Sequence, residues 1–538
     1  MPMNKRFFLG CVALLALGIS PRAQMPITLP KKVVLVPLDD RPVSTQLPQM
    51  LGNIGGVEVA IPPRELLGRF DRPGSPEGIM DWLSGPGGVR DSDAVIVSLD
   101  MVTCGGLIAS RSSSTYYELA KRRLFRLWQI RQEAPQARFY VFSSIVRLAP
   151  TATKEAAPYR MLIQKWMELK EEAKRVPKAD TKQRLASLEE RIPSWELERS
   201  LAARRRMVRV SGDLMQIMGL KGFDLAAFGQ DDASPMGIHL SEIDEIRASA
   251  KAFGADERVA FLQGIDQVAS VLLARACSEV SGTRLGYSTS YSSLSAARQP
   301  APYEAVPIEA SLRQQIRAAG ARLDPSSPLR LMVNTSATES EMSGFRAQLM
   351  SRLRSGQPTA LADVNLGKAG TGDPRLAEGL MTSDVLPRLQ GYAGWNTAAN
   401  TMGTVLPMLQ IHELARRAGV PLFIREARLK RVLFHRFVSD WLYHRYTRPL
   451  AYQLIDQLPN SAREELSPDQ WLQVTKFVQE DLARRTQEAF SKTLEGEIFD
   501  SASGPARVDS LQDLRISLPW PRAYEVEVDF ELGFSEVK

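Results

Sequence analysis

A short apolar run that ends abruptly in charged residues is the feature that most constrains the fold. Residues 33–38 are all apolar, and Asp39, Asp40, Arg41 and Pro42 follow at once. A β-branched run without polar alternation is typical of a strand buried on both faces, as in a parallel sheet. Because Pro42 disfavours a helical Arg41, we expect the charged side chains at the strand's carboxyl edge, where open α/β sheets and barrels place their sites.

The same arrangement recurs along the chain. Mostly apolar runs over 94–99, 223–229 and 359–362 lead into Asp100, into Asp231 and Asp232, and into Asp363 with Asn365. A single acid of this kind is explained equally well by an ion-paired strand end. Their shared position favours convergence at one edge of a parallel sheet.

Strands that alternate with helices predict a mostly parallel α/β architecture. We expect two doubly wound, Rossmann-like lobes at 30–280 and 281–424, with a helical insertion at 152–208. A helical C-terminal region, 425–538, would end in a β-hairpin. A distorted (β/α) barrel is the alternative, and no internal repeat is visible in the sequence.

The N-terminus reads as a signal peptide over residues 1–24. Lys5 and Arg6 precede an apolar run over 7–19 that is short for a membrane span. We therefore expect an exported protein, periplasmic or secreted, without stable membrane insertion after cleavage.

Net charge, cysteines and histidines bear on which ligands and which covalent links we expect. The net charge of +7 is spread over the chain and no nucleic-acid motif is present, so we expect a solvated surface and no nucleic-acid partner. Cys104 and Cys277 predict either one disulfide or two buried free thiols. The histidines lack zinc-ligand spacing.

The candidate site gathers polar residues at or just after the predicted strand ends. The predicted catalytic residues are Asp231, Asp232, Asp39 and Asp40. The predicted substrate-binding residues are Arg41, Asp100, Arg111, Asp363, Asn365, Trp395, Asn396 and Asn400.

Clustered carboxylates repel one another, which raises the pKa of one and leaves another ionised. Glycoside hydrolysis needs that pair, one acid to donate a proton and one carboxylate as base or nucleophile. Arginine, asparagine and tryptophan side chains suit sugar hydroxyls and rings. The sequence thus favours a hydrolase of a glycan or glycoconjugate that needs no cofactor.

Two alternatives remain open. Two α/β lobes around a polar cleft would equally suit a periplasmic protein that binds a sugar or another small solute. Aspartate-rich clusters with asparagine also suit Mg²⁺ or Ca²⁺, which would make the protein a metal-dependent hydrolase.

Five ordered motifs resemble the bacterial domain-of-unknown-function family 4127 (DUF4127). They are VPLDDRP at 36–42, SLDMVTCGGLIASR at 98–111, QDDASPMG at 230–237, ADVN at 362–365 and GYAGWNTAANTMGT at 391–404. The resemblance runs from about residue 33 to the tail PWPRAYEVEV at 519–528 and implies no particular activity.

The sequence departs from the family pattern at two acidic positions. Members of this family usually carry an acid pair in the stretch matched by 264–267, where this chain has Asp266 followed by Gln267. Asp373 is the counterpart of the acid that members carry after the position of Asp363.

The signal-peptide reading predicts cleavage between residues 18 and 24. N-terminal sequencing of the periplasmic protein should therefore begin within or just after this window. Material that begins at Met1 would contradict export by a cleaved signal.

Overall fold

A computed structural model describes residues 27–112, 114–151, 158–367, 370–381, 385–501 and 504–537. The predicted signal peptide at 1–24 lies outside these residues, as does part of the predicted insertion, 152–157.

Six parallel strands form the first sheet. They are β1 (Lys32–Val36), β2 (Glu58–Ala60), β3 (Ala94–Ser98), β4 (Arg138–Ile145), β5 (Leu225–Gln230) and β6 (Val259–Gln263). Their order across the sheet is β2-β1-β3-β4-β5-β6. Since every neighbouring pair is parallel, all six carboxyl ends share one edge.

Strand β1 shows why an unbroken apolar run is required. Val34 and Val36 face the outer side of the sheet, and Val33 and Leu35 face the core shared with the rest of the molecule. All four side chains are at most 1% exposed. A polar residue at any of them would lose its water without gaining a partner.

The helices of the first lobe cover both faces of its sheet or form the insertion. They are α1 (Gln46–Ile54), α2 (Pro76–Ser84), α3 (Leu99–Cys104), α4 (Leu107–Ser110), α5 (Tyr117–Gln132), α6 (Arg160–Arg175), α7 (Thr181–Glu189), α8 (Ser194–Gly219), α9 (His239–Ala252) and α10 (Val268–Val280). The outer core takes side chains from α2, α5, α8 and α9, whereas α1 and α10 pack on the inner face. Helices α6, α7 and the start of α8 form the predicted helical insertion.

Five parallel strands form the second sheet. They are β7 (Gly286–Tyr291), β8 (Arg322–Leu323), β9 (Arg330–Asn334), β10 (Thr359–Asp363) and β11 (Tyr392–Ala393). The order β8-β7-β9-β10-β11 repeats the second-first-third-fourth-fifth order of the first sheet. Its helices are α11 (Leu294–Ala297), α12 (Ile308–Ala318), α13 (Glu339–Arg354), α14 (Pro374–Met381) and α15 (Ala398–Arg417).

Helix α15 lies between the two lobes and is buried continuously from Ala398 to Ala415. It packs against α1 and α10 of the first lobe and against α12 and β10 of the second. A helix that is apolar or buried all round belongs in the interior of a large protein. One continuous hydrophobic core therefore joins the lobes.

The C-terminal region follows both sheets in the chain. Its helices are α16 (Leu422–Arg436), a π-helical segment (Phe437–Thr447), α17 (Arg448–Gln457) and α18 (Pro468–Thr493). Strands β12 (Ile498–Ser501), β13 (Gly504–Ser517) and β14 (Glu527–Glu536) form an antiparallel sheet. This sheet has three strands, one more than the predicted hairpin, because β13 pairs on both sides.

The predicted fold of two doubly wound, mostly parallel α/β lobes is confirmed, together with a helical C-terminal region and a β tail. The barrel alternative is wrong, because each parallel sheet is open. Cys104 and Cys277 are both buried free thiols, so the disulfide alternative is wrong as well.

Within the part of the chain that the structure describes, no helix combines the length and apolar character needed to cross a membrane.

Two glycines test how closely β5 packs against the loop after β6. A Cβ on Gly229 would lie 2.4 Å from the backbone oxygen of Gly264, whereas a Cβ on Gly212 in α8 would meet nothing within 4 Å. We expect Gly229→Ala to destabilise the protein by about 1–3 kcal/mol. Gly212→Ala should stabilise it by about 0.5–1 kcal/mol through helix propensity.

Thermal and urea unfolding followed by circular dichroism measure both effects. A Gly229→Ala variant as stable as wild type would contradict the packing of β5 against this loop.

Candidate active site

The carboxyl ends of both sheets face a cleft of about 950 Å³. Arg41 reaches it from the end of β1, Asp231 and Asp232 from the end of β5, and Asp266 from the loop after β6. Val364 lines it from the end of β10 in the second sheet. The cleft therefore lies where the topology predicts a ligand site.

Arginine side chains outnumber acidic side chains among the described residues that line the cleft. The lining arginines are Arg41, Arg111, Arg147, Arg160, Arg448, Arg463 and Arg522. The lining acids are Asp231, Asp232, Asp266 and Glu464. The C-terminal region also supplies the aromatic rings of Tyr452, Trp520 and Tyr524.

Arg41 joins two carboxylates that are distant in sequence. Its Nη2 lies 2.7 Å from Asp39 Oδ2 and 2.7 Å from Asp266 Oδ1. Asp39 also accepts from Ser44 Oγ at 2.8 Å. Burial opposes the charge of Arg41, but the carboxylates of Asp266 and Asp39 outweigh it and raise the pKa of this guanidinium well above its usual value.

Asp39 and Asp40 lie behind the cleft surface and are at most 3% exposed. Asp40 accepts from Trp520 Nε1 at 2.7 Å and from Arg64 Nε at 3.3 Å. Burial raises the pKa of Asp40. Neither acid is among the described side chains that line the cleft. They hold Arg41 and Trp520 in place, and the predicted catalytic role for them has no support in their positions.

Asp231 and Asp232 both reach the cleft, and each has its own arginine. Arg111 Nη2 pairs with Asp231 Oδ2, and Arg147 Nη1 donates to Asp232 Oδ2 at 3.0 Å. Burial, and then the negative charge of Asp231, raises the pKa of Asp232. Burial lowers the pKa of Arg111, and the nearby Arg147 lowers it further.

Asp266 is the acid of the family motif at 264–267, and it lies at the centre of the cleft's polar network. Asn396 Nδ2 and Asn400 Nδ2 donate to its Oδ2 at 3.4 and 3.5 Å. Tyr524 donates to Asn396 Oδ1 at 2.8 Å. Burial raises the pKa of Asp266, although Arg41 opposes this. Of the three predicted asparagines, Asn396 and Asn400 thus join the site.

Asp100 is buried away from the cleft. It accepts from Ser144 N at 2.8 Å, Ser144 Oγ at 2.5 Å and Ser143 Oγ at 3.2 Å. Burial raises its pKa. It therefore ties the end of β3 to the end of β4, and it is not one of the described residues that line the cleft.

Asp363 is also fully buried. It accepts from Asn334 Nδ2 and from Asp373 N, each at 2.8 Å, and burial raises its pKa to about 8. Asn365 donates to Asp373 at 2.8 Å. These contacts fix the loop after β10, and the predicted role of Asp363 and Asn365 in substrate binding has no support in their positions.

Trp395 is 8% exposed, and its indole donates to Thr404 Oγ1 at 3.2 Å. The guanidinium of Arg436 lies 5.4 Å from its ring centroid. Trp395 is absent from the described lining of the cleft, so its position does not support a platform for sugar rings. Trp520 and Tyr524 of the C-terminal region lie at the cleft instead.

Several lining residues were missed from sequence. Arg147 follows the end of β4, so the strand-end rule applied to that strand finds it. Asp266, Trp520 and Arg522 stand in motifs that carry the family resemblance. Tyr452 and Arg463 lie in or after a helix and carry no local signal.

Among the described residues, no group of three or more His, Cys, Asp or Glu side chains is arranged to hold a metal ion. The cleft aspartates face guanidinium groups at the distances of ion pairs.

A family model described as "Protein of unknown function (DUF4127)" matches residues 33–529. The resemblance seen in the motifs is thus confirmed over nearly the whole chain. Comparison with curated proteins gives no match, and neither does comparison with solved structures.

Glu304 follows the cleft residue Tyr303 and caps the start of α15. Its Oε1 accepts from Ala399 N at 2.5 Å, and its side chain is buried. Burial raises the pKa of Glu304 from 4.5 to about 7. The folded protein therefore holds this proton over a pH range in which the unfolded chain has lost it.

Folding stability should fall as pH rises from about 4.5 to 7 and level off above that window, by an amount on the order of 3 kcal/mol. Glu304→Gln keeps an acceptor for Ala399 N and removes the charge. Its free energy of unfolding relative to wild type should therefore be higher at pH 8 than at pH 5.

Urea unfolding at pH 5, 6, 7 and 8 measures this difference. Glu257→Gln on an exposed turn is the matched control, and its curve should parallel the wild-type curve. If the free energy of unfolding of Glu304→Gln followed pH in parallel with that of wild type, the raised pKa of Glu304 would be contradicted.

Proposed function

The chain belongs to the DUF4127 family, and we propose that it is an exported hydrolase of a glycan or glycoconjugate that works through paired aspartates. The observation that carries this proposal is the placement of Asp231 and Asp232 side by side in the cleft. Each is held by its own arginine, and the pKa of Asp232 is raised. Two neighbouring carboxyl groups in different environments are what acid–base hydrolysis of a glycosidic bond requires.

Asp232 is assigned the acid. A carboxyl group with a raised pKa retains its proton near neutral pH more readily than an ordinary aspartate does, so it can protonate the departing glycosidic oxygen. Its backbone φ of +41° lies in the left-handed region, which aspartate and asparagine tolerate better than most residues. This backbone turn presents the side chain to the cleft.

Asp231 is assigned the second carboxylate. Its partner Arg111 is 8% exposed, so the ion pair is largely shielded from water and holds the carboxylate in place. An ionised carboxylate beside the bond acts as base or as nucleophile. Asp266, with Asn396 and Asn400, supplies hydrogen-bonding groups for substrate hydroxyls, and Arg41 orients Asp266.

A sugar-binding or small-solute-binding protein is the second candidate. It is favoured by the ion pairs of Asp231, Asp232 and Asp266, because a carboxylate engaged by a guanidinium can serve recognition alone. The continuous core through α15 weighs against it, since two lobes joined in this way cannot close around a solute as hinged domains do.

A hydrolase that depends on Mg²⁺ or Ca²⁺ has less support. The described residues gather no set of acidic ligands, and Asp231 and Asp232 are each already paired with an arginine.

The decisive test is Asp232→Asn. Asparagine keeps the shape, the left-handed backbone and an acceptor for Arg147, but it cannot donate the proton. We expect the melting temperature to stay close to wild type and turnover to fall by about 10²–10⁴-fold. Asp256→Asn on an exposed turn is the control and should retain full activity.

The assay measures reducing ends released from neutral and acidic polysaccharides. Unchanged turnover in Asp232→Asn would refute its role as the acid. A wild-type protein that binds a glycan without cleaving it would favour the solute-binding candidate. Activity lost to a chelator and restored by Mg²⁺ or Ca²⁺ would favour the metal-dependent candidate.

A further inference from the structure

Guanidinium groups and aromatic rings alternate along one wall of the cleft, and we name this wall the ladder. Its outer half comes from α17 and the residues that follow it. The guanidinium of Arg463 lies 4.8 Å from the ring centroid of Tyr452, and that of Arg448 lies 5.8 Å from the same ring. Arg448 is also 5.4 Å from the ring of Tyr524.

The inner half of the ladder continues from Tyr524 to the aspartates. Arg522 lies 5.5 Å from the ring of Tyr524 and 4.6 Å from that of Trp520. Arg41 lies 5.2 Å from the ring of Trp520 and is ion-paired with Asp266. The ladder thus connects through cation–π contacts to the polar network of the candidate site.

The two ends of the ladder differ in exposure, although not step by step, because Arg448 in the outer half is only 5% exposed. The side chain of Arg463 is 50% exposed, that of Arg522 is 21% exposed, and that of Arg41 is 11% exposed. Tyr524 is 42% exposed between them. The ladder therefore runs from the rim of the cleft towards its buried acids, as a binding path for an extended ligand would.

The chemistry of the ladder selects for two ligand features together. A guanidinium whose face lies on an aromatic ring still presents N–H groups at its edge, where they bind carboxylate or phosphate oxygens. Nε and Nη2 of Arg463 donate to Asp456, and those of Arg522 donate to Glu525, so a ligand oxygen would bind at the Nη1 side of each. Exposed tyrosine faces pack against the C–H faces of sugar rings. Neutral sugars would use only the rings, whereas anionic sugars use both components.

The charge balance supports the same ligand. Seven arginines and four acids are among the described residues that line the cleft, so the lining carries an excess of positive charge. Burial lowers the pKa of both Arg111 and Arg160, and Arg147 lowers each further, which shows that these guanidinium groups repel one another. A bound anion would relieve this repulsion.

We propose that the ladder binds an oligosaccharide that carries carboxylate or phosphate groups, so that the substrate class of the cleft is an acidic glycan. This inference rests on the proposed function, because the ladder leads to the same aspartates. The inference adds to the proposed function the class of glycan that binds and the residues that select it. Arg463 and Tyr524 at the exposed end provide the first subsite.

The test is isothermal titration of the full chain carrying Asp232→Asn, which prevents turnover. The probes are matched pairs: trigalacturonate with galactotriose, and trimannuronate with mannotriose. Inorganic phosphate is titrated separately to distinguish phosphate from carboxylate recognition. We expect at least one acidic trisaccharide to bind about tenfold or more tightly than its neutral partner. That preference should shrink between 50 and 200 mM salt, because a partly exposed ion pair is screened.

Arg463→Gln, added to this background, should lower affinity for the acidic trisaccharide by about two- to fivefold while affinity for the neutral partner is unchanged. Arg463 is half exposed, so the fold should tolerate the change. Arg205→Gln, at an exposed arginine of α8 that does not line the cleft, is the control and should leave both affinities unchanged.

Equal affinity for acidic and neutral partners, or no measurable binding of either acidic probe and of phosphate, would overturn the inference. So would tighter binding of oligothymidylate than of either acidic trisaccharide, which would mark the ladder as a nucleic-acid surface. Acidic binding without hydrolysis by wild type would uphold the ladder and remove the hydrolase. Hydrolysis of neutral glycans alone would uphold the hydrolase and overturn the proposed preference of the ladder for acidic glycans.

Discussion

The architecture of the cleft depends on one buried guanidinium. Arg41 lies between Asp39, which is 2 residues before it in the chain, and Asp266, which is 225 residues after it. Removing three charges from water is costly, and the cost is offset only when every partner is present. The bridge therefore links the end of β1 to the loop after β6, at the far edge of the same sheet. Trp520 on the face of Arg41 brings the C-terminal region to the same point.

Around this bridge the two lobes form a rigid frame. Helix α15 is buried between them, and its first turn is fixed by Glu304 and by the cap of Thr397 on Asn400 N. Asn400 extends from that turn to Asp266. The interior thus sets the position of a cleft residue directly, without an intervening flexible loop. Such preorganisation suits a site whose acids must keep distinct environments.

Sequence predicted the fold better than it predicted the site. Unbroken apolar runs identify strands such as β1, because both faces of a parallel sheet are buried. The strand-end rule correctly brings Asp231, Asp232 and Arg41 to the cleft. It does not tell which side chains turn inward, so Asp100 and Asp363, held by local serine and asparagine donors, were assigned to it as well. The ladder could not be predicted from the sequence, because its rings and guanidinium groups come from segments that are far apart in the chain.

The origin of the ladder has a consequence for biosynthesis. Except for Arg41, its members lie between residues 448 and 524, after every strand of both parallel sheets in the chain. A ribosome makes the acids first and the wall that faces them later. Both α/β sheets can pair before that wall exists, but Trp520 reaches Asp40 only after a further 480 residues have been made. A chain that ends before residue 448 would therefore hold Asp231 and Asp232 without the aromatic and cationic wall that faces them.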